Sequence, residues 1–102
     1  MLTLKPNCEW CDKSLLAQST DAMICSYECT FCKSCVENLF ENVCPNCGGG
    51  FCQRPIRPAQ AYRDNVSRQH QAPSKERVHT KYSVQELKEF IADIKTVEPV
   101  DR

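Results

Sequence analysis

Nine cysteines fall between positions 8 and 52 of this 102-residue chain, and none occurs after them. They are Cys8, Cys11, Cys25, Cys29, Cys32, Cys35, Cys44, Cys47 and Cys52. Three C-x-x-C pairs stand out, Cys8/Cys11, Cys32/Cys35 and Cys44/Cys47, with Cys25/Cys29 one residue wider. A two-residue gap lets both thiolates of one tight turn reach the same ion, with backbone N–H groups aimed at the sulfurs. Eight cysteines therefore form four half-sites, enough for two closed four-cysteine centres that we expect to hold two Zn2+ ions. Closed tetrahedral centres have no open position and are structural rather than hydrolytic. The ninth cysteine, Cys52, follows Gly48-Gly49-Gly50-Phe51 and is expected as a small buried apolar residue on a terminal strand.

The alternative is a disulfide scaffold, which requires export. The start, Met1-Leu2-Thr3-Leu4-Lys5-Pro6, lacks the basic stretch and long apolar region of a secretory signal. Dense cysteines in that context point to a reducing, cytoplasmic setting and to metal. No apolar run approaches the ~18–20 residues of a membrane span. Only 24 residues are Val, Ile, Leu, Met, Phe or Trp, so the chain cannot build a large core.

Charge divides the chain. Residues 1–53 carry three lysines against six acidic residues, a net of −3. Residues 54–81 carry seven basic residues against two acidic ones, a net of +5, and residues 82–102 carry a net of −2. The overall zero is a cancellation. The expected organisation is a binuclear zinc domain over 1–53 and a basic linker over 54–82, with a helix over 83–95 and a tail over 96–102. The linker, with Pro55, Pro58 and Pro73, reads as largely extended or disordered, with at most a short helical patch near Ala59–Arg68. Ser83 followed by Glu86 is a capping-box pattern, and Val84, Leu87, Phe90, Ile91 and Ile94 recur at helical spacing. About three turns are marginal alone, so this amphipathic helix should dock on the zinc domain or self-associate.

The full spacing, C-x2-C-x13-C-x3-C-x2-C-x2-C-x8-C-x2-C, resembles that of the RING-finger superfamily, with cysteine where most members place a histidine ligand. The stretch Cys29-Thr30-Phe31-Cys32-Lys33-Ser34-Cys35-Val36 and the knuckle Cys44-Pro45-Asn46-Cys47 carry the likeness. More specifically, Lys5-Pro6-Asn7-Cys8, Cys25-Ser26-Tyr27-Glu28-Cys29-Thr30-Phe31-Cys32 and Cys44-Pro45-Asn46-Cys47-Gly48-Gly49 resemble a family of small bacterial proteins known as a domain of unknown function. That likeness covers about residues 1–58. Members usually carry an aliphatic residue near the Cys52 position, which implies that Cys52 is no ligand.

The RING resemblance implies an α+β cross-brace with a short β-hairpin and a central helix. Cys8, Cys11, Cys32 and Cys35 would hold one ion, and Cys25, Cys29, Cys44 and Cys47 the other. Spacing alone leaves open the sequential grouping of Cys8, Cys11, Cys44 and Cys47 on a single ion.

No catalytic constellation is present: His70 and His79 lie in the linker, and the glycine run lacks the Lys-Ser/Thr of a phosphate loop. The favoured function is a non-catalytic zinc-binding interaction module for an unidentified protein partner. The RING resemblance implies a partner groove of Trp10, Val36, Leu39, Phe40 and Pro45, with the competing reading that these residues build the core. It also implies an alternative function, a ubiquitin-type ligase that recruits a conjugating enzyme. Gly48 stands where active ligases commonly carry a cation, which counts against that role. Nucleic-acid binding through the arginines of 54–81, with Tyr62 and Tyr82 for stacking, is a further and less favoured alternative.

Overall fold

The computed structural model describes all 102 residues. Its sheet begins with a hairpin between β1 (Ala22–Ile24) and β2 (Thr30–Cys32), paired antiparallel with Met23 opposite Phe31. The connecting turn closes with Cys25 N–H to Cys29 O and Glu28 N–H to Cys25 O, at 3.2 and 3.0 Å. Glu28 takes the left-handed conformation (φ 67°), the position at which a three-residue hairpin loop reverses the chain. A third strand, β3 (Cys52–Gln53), adds antiparallel to the other edge of β1, giving the order β2-β1-β3.

After β2 the chain makes one wide turn over Cys35–Leu39, with Phe40 N–H bonding Cys35 O at 2.9 Å. The expected central helix is thus a single i→i+5 turn. Its frame puts Val36 and Phe40 in the core, while Cys35 stays with the other cysteines.

Phe40 is the hub of that core. Phe31 and Trp10 meet it edge-on at 4.7 and 5.5 Å, and Phe51 stacks at 6.1 Å. Leu15, Ala22 and Val43 complete the apolar cluster, and Leu87 and Ile91 join it from the C-terminal helix. Only 20 of 102 residues are buried, too few for a chain of this size to stand on apolar burial alone.

Alternation along β3 corrects one expectation. Phe51 packs on the core, whereas Cys52 is exposed. A strand turns successive side chains to opposite faces, so seating Phe51 inward sends Cys52 out.

Residues 54–82 form no helix; the patch expected near Ala59–Arg68 is a series of bends and turns. The segment is nonetheless anchored. Arg54, 1% exposed, donates to the carbonyls of Lys5 and Leu16, and Arg57 donates to those of Leu2 and Gln71. Asn7 acts as a surrogate strand: its amide donates to Val78 O at 2.8 Å and accepts from Val78 N–H at 3.3 Å. The same buried amide also donates to Cys8 O and Asp12 Oδ1. Asn7→Ala should cost about 1–3 kcal/mol, because the Val78 backbone groups lose a buried partner. A lower Tm with faster amide exchange across 74–80 would show it.

Helix α1 (Val84–Ile91) carries the capping box read from the sequence: Ser83 Oγ accepts from Glu86 N–H, and Glu86 Oε1 accepts from Ser83 N–H, both at 3.1 Å. It is shorter than expected. Beyond Ile91 the ladder becomes mixed: Ile94 N–H and Lys95 N–H both reach Ile91 O, and Val97 N–H reaches Ile94 O. Leu87 and Ile91 are buried, while Val84 and Phe90 stay partly in solvent. A final short 3-10 turn spans Pro99–Asp101. No helix is long and apolar enough to cross a membrane.

Candidate metal centre

The two C-x-x-C turns at the ends of the cysteine-rich segment share one backbone design. Asp12 N–H returns to Cys8 O at 2.9 Å, and Gly48 N–H returns to Cys44 O at 2.8 Å. In each turn the residue after the second cysteine is left-handed, Asp12 at φ 65° and Gly48 at φ 80°. That conformation is where aspartate and glycine are tolerated best, so both residues suit their positions. The turns also aim amides at sulfur. Cys8 receives the N–H groups of Trp10 and Cys11, Cys11 that of Lys13, Cys25 that of Tyr27, Cys44 that of Asn46 and Cys47 that of Gly49. An N–H two residues on from a cysteine favours its thiolate.

In the first cluster the sulfurs of Cys8, Cys11, Cys32 and Cys35 all lie within 4.8 Å of one another. The Cys8–Cys35 and Cys11–Cys32 separations are 3.9 and 3.8 Å. Tetrahedral coordination with metal–sulfur bonds of about 2.3 Å places sulfurs about 3.8 Å apart, so the donor set fits such an ion. In the second cluster Cys25, Cys44 and Cys47 meet within the same limit. Cys29, expected as the fourth ligand of this centre, is not within that limit, although its thiol is near enough to those of Cys44 and Cys25 for them to shift its titration. Each cluster joins segments separated in sequence, and the two are interleaved along the chain.

Burial and neighbouring sulfurs set the protonation of the thiols. Burial pushes the Cys8 and Cys35 thiols up and raises Cys25 to about 11. Interaction between the Cys44 and Cys29 thiols raises Cys44 and lowers Cys29 to about 5. A cation among these sulfurs would reverse the penalty on the raised thiols. Metal must displace their protons, so the metal-free chain binds more protons and affinity rises with pH. Each proton displaced is worth about tenfold per pH unit. Competition with a chelator between about pH 8 and about pH 6 should show metal held progressively less tightly as pH falls.

The five residues expected to form a partner groove are placed mainly by packing. Val36 and Phe40 are in the core, and Pro45 is buried beside α1, sharing a cavity of about 260 Å3 with Tyr82, Leu87 and Phe90. Trp10 and Leu39 are half-buried against the same core. The physical reason is the small interior: Phe40 is needed as its hub, and α1 covers the second knuckle. The sequence gives no sign that Asn46 acts on the Cys29 thiol, or that Glu9 is buried with its carboxylate accepting from Thr30 N–H and pairing with Lys5. The one local signal was Asp12 and Gly48 directly after a C-x-x-C pair.

These features define a small α+β domain whose two cysteine clusters can hold metal ions. Residues 1–57, more than half the chain and including every cysteine, match the family described as "Protein of unknown function (DUF1272)", and the chain belongs to that family. The uncharacterized protein R02474 of Rhizobium meliloti (strain 1021) is 58% identical over 59 residues, which span 58% of this chain and 70% of the relative. No solved structure matches the chain.

Proposed function

We propose that the chain is a structural zinc protein of a reducing, cytoplasmic setting, with two four-cysteine centres in a RING-like cross-brace, that serves as a non-catalytic interaction module. The observation that carries this reading is the interleaving: Cys8 and Cys11 meet Cys32 and Cys35, while Cys25 meets Cys44 and Cys47. Cys29, whose thiol titrates together with those of Cys44 and Cys25, is the fourth ligand of the second centre in this reading. All-thiolate tetrahedral sites favour zinc, and a four-thiolate centre leaves no position for substrate.

The alternatives draw less support. Burial of Val36, Phe40 and Pro45 weighs against a groove of the ligase kind. Arg54, Arg57 and Arg77 bind the chain's own carbonyls and Asp12, which weighs against a nucleic-acid grip. The accessible edge of Trp10 is the best interaction anchor. Trp10→Ala should abolish capture of a partner retained by the wild type while leaving metal content and far-ultraviolet circular dichroism unchanged at saturating zinc. Equal capture by both proteins would remove Trp10 from the interface.

A further inference from the structure

The C-terminal half touches the two clusters at separate places. Residues 74–80 run along the first knuckle: Ser74 N–H bonds Leu4 O, Val78 pairs with Asn7, Thr80 N–H bonds Glu9 O, and Arg77 grips Asp12. Residues 83–102 instead close on positions 41–50, the segment that carries Cys44 and Cys47. Gly48 faces Ile94 and Phe90 at contact range: a Cβ there would lie 3.6 Å from Ile94 Cδ1. Pro99 lies against Gly50, and Lys95 pairs with Glu41 at 3.1 Å. Arg102 donates to the carbonyls of Asn42 and Gly48, at 2.7 and 3.2 Å.

We propose that α1 and the tail after it form a clasp that governs metal retention at the second centre. This rests on the zinc reading above and adds a role for residues beyond the 1–57 family match. The Cys44–Cys47 knuckle is a turn whose left-handed Gly48 and carbonyls are held from outside by α1 and Arg102. Holding the turn in its liganding geometry means that less order is lost when metal binds. By reciprocity, metal at this centre strengthens docking of α1, an eight-residue helix too short to persist undocked. The first centre has its own brace in residues 74–80 and is indifferent to the clasp.

The test uses the full chain, titrated with zinc against a chromophoric chelator. Leu87→Ala/Ile91→Ala should weaken one of two bound ions by about 10- to 100-fold and leave the other unchanged. Arg102→Ala, which leaves the core intact, should weaken the same ion by less. Arg77→Ala should spare it. With Cys44→Ser removing the second centre, the remaining ion should ignore the Leu87/Ile91 change. Equal weakening of both ions, or of neither, overturns the clasp while the zinc reading stands. A wild type that fails to bind two ions overturns the zinc reading itself.

Discussion

Stripping metal from the protein with an excess of strong chelator should unfold it. Structural zinc contributes on the order of 10–16 kcal/mol in small finger domains, whereas a domain of this size has about 5 kcal/mol of net stability to lose. The interior explains the dependence. With 20 buried residues, four of the core positions being Cys8, Cys25, Cys32 and Cys44, removing the ions leaves thiol pairs in the middle of the core. Burial then favours the protonated form at Cys8 and Cys25, and the amides aimed at those sulfurs lose their strongest acceptors. The expected result is loss of near-ultraviolet dichroism and a red shift of Trp10 fluorescence, both restored by zinc. A metal-free chain that keeps a cooperative unfolding transition would show that the apolar core suffices.

Phe40→Ala should produce the largest loss of any single apolar substitution, about 3–5 kcal/mol with metal bound. The ring is fully buried and contacts Phe31, Trp10 and Phe51, so truncation opens a cavity and removes three aromatic pairs at once. That is most of the stability available to so small a domain. Urea unfolding at saturating zinc should show a greatly lowered midpoint. Leu16→Ala, at a site 66% exposed, should change stability by less than about 0.5 kcal/mol. Equal midpoints for the two variants would mean that the ions alone hold the fold.

The parts legible in the sequence were those determined by near neighbours. A C-x-x-C turn is a local object, as is the Ser83–Glu86 cap, and both take their expected form. The short antiparallel hairpin that the resemblance implied is present, with Cys25 and Cys29 at its turn. What could not be read depends on contacts across the chain. Cys52 faces solvent because β3 pairs with β1 in a register that turns Phe51 inward. Nothing near Asn7 announces that its amide pairs with Val78, 71 positions away. The route of residues 54–82 follows from buried Arg54 and tethered Arg57, two side chains whose charge suggests solvent. The apolar stripe of α1 was visible, but its seat on Gly48 and Pro45 was not, and that seat covers Pro45, one of the five residues expected at a partner surface.

The bound charge also changes the electrostatic picture. In the proposed two-zinc state, eight thiolates against two Zn2+ would leave −4 and take residues 1–53 from −3 to −7 formally. The +5 of residues 54–81 then acts as an internal counter-charge, as the pairing of Arg77 with Asp12 illustrates. The −4 and −7 both depend on the number of ions held.

Native mass spectrometry of protein purified under reducing conditions, paired with elemental analysis, tests that number most directly. The cross-braced account predicts two zinc ions per chain, falling to one on Cys32→Ser or on Cys44→Ser and staying at two on Cys52→Ser. A wild-type content of one ion, or none, in a folded chain would contradict it.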